Sequence, residues 1–261
     1  MMRTWTAALL LALATAGCAR SSTGLPAVSR DLAPTSISVA DVCDGACAYV
    51  LPAGLPDVTA LADGRVVGLR RDARGVPVFP LQLVQGQISL QQWQDLLALA
   101  DRAGVPDHVV VPTLPPGRAV ADGGMTVLTV RYAAGPARRV SVPLLSLRDL
   151  PLRPAASRDR LLALVDALAA VRPGADAAAL PATAYALLAE QSGADGATPG
   201  PALEVPASGC RLLSPQEAAA LPEEVRAARA PVPVTEGGRA RLVSLRPLLP
   251  TERSCADLGQ G

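Results

Sequence analysis

The chain has 261 residues, half of them apolar and 18% charged, with 24 basic against 23 acidic side chains. A balance this near zero argues against a protein that grips nucleic acid by net charge, which needs a basic excess on one face. Every cation is arginine, and the absence of lysine excludes Schiff-base catalysis, a Ser-Lys dyad and the usual Gly-Lys phosphate loop.

The single histidine, His108 in "PDHVVVP", excludes a zinc site of two or three imidazoles. It would have to serve any Ser-His-Asp triad, and no Gly-x-Ser-x-Gly accompanies it, so it reads as an exposed residue at a strand mouth. Two Trp, three Tyr and one Phe supply few stacking platforms. That disfavours single-stranded nucleic acid binding and, less strongly, carbohydrate binding. No acidic pair is singled out by its context for glycosidic cleavage, and no residue is assigned to catalysis, to a metal or to a cofactor.

The N-terminus carries Met1, Met2 and Arg3 and then an apolar run from Trp5 to Ala16, too short to span a bilayer permanently, which predicts a signal peptide over 1–17. Ala14-Thr15-Ala16 suits ordinary signal peptidase. Thr15-Ala16-Gly17-Cys18 resembles the lipobox of bacterial lipoproteins, with Thr15 where that pattern prefers Leu. The resemblance implies a diacylglyceryl group on Cys18. Five cysteines agree, because lipidating Cys18 leaves Cys43, Cys47, Cys210 and Cys255, an even set that can pair outside the cytoplasm. The Ser, Thr, Pro and Ala rich tract over 18–40 reads as a disordered tether. The expected location is the extracytoplasmic face of the cell membrane, anchored by lipid, with plain secretion after cleavage behind Ala16 as the alternative.

In the body of the chain, Asp63-Gly64 between two β-prone runs predicts a hairpin within 57–69. "VPVFPLQLV" (76–84) is a third strand, its prolines pointing to an irregular path. Ser89 with Gln92 forms a capping box, and Gly104 stops a helix whose Leu90, Trp93, Leu96, Leu97 and Ala100 share one face. "MTVLTVRY" and "RRVSV" predict a second hairpin. Ser157 is expected to cap a second helix, with Leu161, Leu162, Val165, Leu168 and Ala169 inward and Pro173-Gly174 closing it. This order predicts an α+β fold over 41–174, an antiparallel sheet of hairpins with both helices on one face.

Beyond it, 175–208 reads as linker or extension, with one strand around Thr183 to Leu188. A smaller α/β unit over 209–261 begins with the capping box Ser214, Pro215 and Glu217 and includes the alternating "RARLVSLRPLL". Four cysteines allow three pairings. Cys43 with Cys47 and Cys210 with Cys255 keep each bridge within its own unit, and the second closes a loop of about 46 residues, a stabilisation of roughly 4 kcal/mol on the chain-entropy model. The CxxxC spacing of "CDGAC" also suits a metal or redox pair, for which further ligands are short.

From "ADGRVV", "ISLQQWQDLLALADRAG", "TVLTVRYAAGPARRVSV" and "RLLALVDAL" the central region resembles a module of secreted bacterial lipoproteins of the actinobacterial type. Its strand-helix-hairpin-helix part is similar to emfourin-type protease inhibitors. These are framework residues, so no inhibitory residue carries over. The expected function is a non-catalytic binding or assembly module of the cell envelope, meeting the membrane through its lipid and meeting an envelope protein or acidic lipid head groups through a surface such as Arg70, Arg71, Arg138 and Arg139. An envelope hydrolase using carboxylates and an inhibitor of a secreted protease are the alternatives, and nucleic acid is not an expected partner.

Overall fold

The computed structural model describes residues 34–42, 51–52, 55–105, 108–120, 123–191, 203, 209–236 and 239–258. Two antiparallel sheets organise them. The larger has seven strands in the order β6-β5-β1-β2-β3-β4-β7: β1 (Pro34–Val42), β2 (Val58–Leu61), β3 (Arg65–Leu69), β4 (Leu83–Gln87), β5 (Met125–Tyr132), β6 (Arg138–Pro143) and β7 (Ala178–Leu180). The smaller orders β8 (Tyr185–Gln191), β9 (Cys210–Leu213), β10 (Val232–Glu236) and β11 (Arg239–Pro247) as β10-β11-β8-β9.

Both long helices cover one face of the large sheet, as the alternation of its strands requires. Ile37, Val39, Val58, Ala60, Leu128 and Val130 point to that face and pack against Trp93, Leu96 and Ala100 of α1 (Leu90–Arg102) and Leu161, Leu164 and Leu168 of α2 (Ala155–Ala170). The α+β class with a disulfide-closed C-terminal unit is thus the observed architecture.

Local chemistry explains most boundaries. Ser89 accepts from the Gln92 backbone while the Gln92 side chain accepts from Ser89 N, closing the expected capping box. Gly104 then turns the chain at φ +74°, which a side chain would resist. The β2–β3 turn places Gly64 at φ +85°. Ser214 and Glu217 repeat the capping box at α3 (Pro215–Ala219), and Pro222 opens α4 (Glu223–Arg226).

Several expectations are corrected. Pro34–Val42, assigned mostly to the tether over 18–40, form β1, which pairs with β5 on one side and β2 on the other; residues 18–33 lie outside the described set. The third strand starts at Leu83 rather than Val76, because the preceding stretch carries Pro77 and Pro80 and forms only an isolated bridge, Arg71 to Pro77. Ser157 does not cap α2. The helix begins one turn earlier after Pro154, and Ser157 turns its hydroxyl onto the Val110 carbonyl. Leu90 is 70% exposed, and Leu164 takes the inward position expected of Ala169. The stretch 175–208, read as linker or extension with one strand around Thr183 to Leu188, does form that strand as β8 (Tyr185–Gln191), at the centre of the small sheet, and also supplies β7, which was not expected, to the large one.

The small sheet buries both faces. Leu187, Val234 and Val243 pack with Ala218 of α3 and Val225 of α4, while Ala186, Leu188 and Cys210 meet Leu248 and Leu258. Leu258 belongs to a 3-10 turn, Cys255–Leu258, that lies between the two sheets. Cys210 and Cys255 are bridged, which ties this turn to β9. Among the described residues no helix is long and apolar enough to cross a membrane.

Candidate functional site: a cleft over the second face of the large sheet

The face of the large sheet turned away from the helices has two characters. Toward β3 and β4 it is apolar, and Leu61, Val67, Leu69 and Leu83 are covered by Leu55 and Leu249. Toward β5 and β6 it is polar. Alternation puts Ser36, Ser38 and Ala40 of β1 on this face, beside Thr59 of β2 and Val127, Thr129 and Arg131 of β5.

Register turns those positions into a row. Arg139 pairs with Thr129, Thr129 with Ser38, and Ser38 with Thr59, so one guanidinium and three hydroxyls cross four adjacent strands on one face. At about 4.8 Å per strand the row is roughly 14 Å long.

The C-terminal segment from Leu249 to Leu258 arches over this face and leaves a cleft of about 750 Å³. Thr35, Tyr132, Pro136 and Arg139 stand on the side of the β5–β6 turn, and Thr251, Arg253 and Ala256 on the other wall. Thr59 is 2% exposed, and its Oγ1 and that of Thr251 are buried without a hydrogen-bond partner. Such hydroxyls are costly to leave unsatisfied. Both line the cleft.

A charged clasp fixes the overhanging segment. Arg246 of β11 is fully buried and pairs with the buried Glu252, which also accepts from Leu249 N at 2.9 Å. Burial pushes the Arg246 guanidinium below its ordinary value, and the Glu252 charge opposes that shift. Arg131, rising from the sheet, lies 3.7 Å from Glu252 and 3.8 Å from Asp257 and donates to the Asp257 carbonyl. Partial burial raises the Asp257 carboxyl. Hydrogen bonds from Arg253 N at 2.8 Å and from Ser254 N and Oγ at 2.9 Å, with the Arg131 charge, outweigh it and hold the carboxyl below the usual range. The two acids of the cleft are therefore engaged in holding the segment down.

A second polar cluster sits at the far end of β1. Asp57 pairs with Arg71 and accepts from Asp41 N at 3.1 Å, while Thr126 Oγ1 donates to Asp41 at 2.9 Å. Burial of its carboxylate, only partly offset by the hydrogen bond from Thr126, and the charge of Asp57 hold the Asp41 carboxyl above its ordinary value, although the residue as a whole is exposed. Asp57 is spoken for by Arg71, so the cluster ties β1 to the β2 and β3 flanks.

The residues singled out from the sequence are scattered. Cys18, Cys43 and Cys47 lie outside the described residues. His108 is exposed in a segment that forms no strand; nearby, Thr113 bridges to Arg153. Of the four arginines, Arg70 donates to the carbonyls of Ala175 and Ala177 and Arg71 holds Asp57, both structural roles. Arg138 is exposed, and Arg139 alone of the four lines the cleft. Sequence reasoning missed Thr59, Arg131, Arg246, Thr251 and Glu252. A signal existed for the floor, since "SISVA" and "TVLTVRY" put small polar residues on the face opposite the core. No family model, curated protein or solved structure matches the chain.

Proposed function

We propose that the protein is a non-catalytic binding module of the cell envelope, anchored through lipid on Cys18, and that the cleft is its binding site. The observation that supports this reading best is the Arg139–Thr129–Ser38–Thr59 row ending in a buried hydroxyl without a partner, inside a cleft large enough for a small ligand. The lining favours recognition over chemistry. Among the described residues no serine or threonine hydroxyl of the lining is hydrogen-bonded to a carboxylate or imidazole, and the acids of the lining are held by arginines and backbone N–H groups.

Two measurements test the reading. Metabolic labelling with a fatty-acid analogue should mark the wild-type chain and not Cys18→Ala, with mass spectrometry locating the lipid on the N-terminal cysteine. The chain without residues 1–17 should bind an isolated envelope fraction saturably, and Arg139→Glu at the exposed rim should weaken that binding. Label on Cys18→Ala, or envelope binding indifferent to Arg139→Glu, would overturn the corresponding half of the proposal.

A further inference from the structure

Resting on that reading, we infer that the ligand of the cleft is an acidic saccharide, bound with its carboxylate or phosphate on Arg139 and its hydroxyls along the row that ends at Thr59. Arg139 is exposed at the open edge of the row and engages in no ion pair among the described residues. Arg253, the other exposed cation of the lining, stands on the overhanging wall. Arg131, Arg246, Glu252 and Asp257 balance one another, so these two arginines leave the cleft with a positive surplus. An anionic group is favoured at the rim.

Further in, recognition changes character. Each Ser or Thr hydroxyl offers one donor and two acceptor positions and so matches a ligand group of the same kind. The roughly 14 Å run of the row suits two or three sugar units laid edge-on. An extended peptide fits less well. β1, β2 and β5 are interior strands whose backbone groups are already in ladders, so a peptide on the cleft floor would leave its own amides poorly matched, and one added at the β6 edge would run beside the row rather than across it. The scarcity of aromatic residues, which removes stacking platforms, is met by this edge-on mode.

The test titrates the chain without residues 1–17 with three probes: a trisaccharide containing glucuronate, a short polyol phosphate oligomer and a neutral glucose trisaccharide. Calorimetry should show binding of one or both anionic probes and at least tenfold weaker binding of the neutral one. Arg139→Gln should weaken the anionic probe about tenfold and leave the neutral probe unchanged, and Thr59→Val should weaken both severalfold. The carboxylate and phosphate arms identify which anion is preferred. Thermal melting of each variant checks that it is folded, and Thr129→Val provides a second hydroxyl deletion if Thr59→Val is not.

No anionic probe binding at millimolar levels, or binding unaltered in Arg139→Gln, would overturn the inference. If envelope binding then persists and still depends on Arg139, only the ligand class is wrong. If it is absent, the binding reading falls as well.

Discussion

Glu252→Gln isolates one charge in the clasp that holds the C-terminal segment over the sheet. The substitution keeps the side-chain shape and an oxygen for Leu249 N, but removes the negative charge that Glu252 sets against Arg246, which is 0% exposed. A pair of unit charges about 4 Å apart at an effective dielectric constant of about 20 attracts by about 4 kcal/mol. Breaking one partner of a buried pair costs about 3–5 kcal/mol. The Coulomb figure falls within the range that removing one partner of a buried pair costs. For a chain of this size the loss corresponds to a fall in melting temperature of about 6–20 °C. Urea denaturation with the disulfide intact measures it. The double variant Arg246→Met with Glu252→Leu should recover most of the loss, since an apolar pair has no unpaired charge to bury. A cost below about 1 kcal/mol for Glu252→Gln, the range of exposed pairs, would refute the reasoning.

Three further outcomes follow from the same geometry. Replacing Cys210 and Cys255 by Ser releases a loop with a sequence separation of 45 and should lower stability by about 4 kcal/mol, read by urea denaturation, with faster hydrogen exchange over 249–258. Asp257 is held below the ordinary carboxylate range, so it contributes stability above the unfolded-state value of about 4 and loses it as pH falls through the lower folded value. Asp257→Asn should therefore destabilise at neutral pH and flatten the acid limb of the urea midpoint against pH. Ser89→Ala removes the side-chain cap of α1 and should cost about 1 kcal/mol at unchanged denaturant slope.

The elements that were legible beforehand are those whose instructions are local. Ser89 with Gln92, Asp63 with Gly64, the 125–142 hairpin and Ser214 with Glu217 each act within a few residues, and each forms as expected. What stayed hidden depends on partners far along the chain. "PTSISVADV" lies next to a composition that suits a tether, and only pairing with β5 and β2 makes it a strand. The cleft was hidden for a related reason. Its polar floor resembles an ordinary solvent face, and nothing near Ser38 or Thr59 announces that residues 249–258 return to cover them. Arg246 and Glu252 are unremarkable among 24 arginines and 23 acids until burial singles them out.

The placement of β1 also bears on how the molecule withstands traction. A pull along β1 acts in the interior of the seven-stranded sheet and is shared by ladders on both flanks. An outermost strand under the same tug can be peeled away one hydrogen bond at a time. This one must slide against β5 and β2 together, so a load along it is met by both ladders at once.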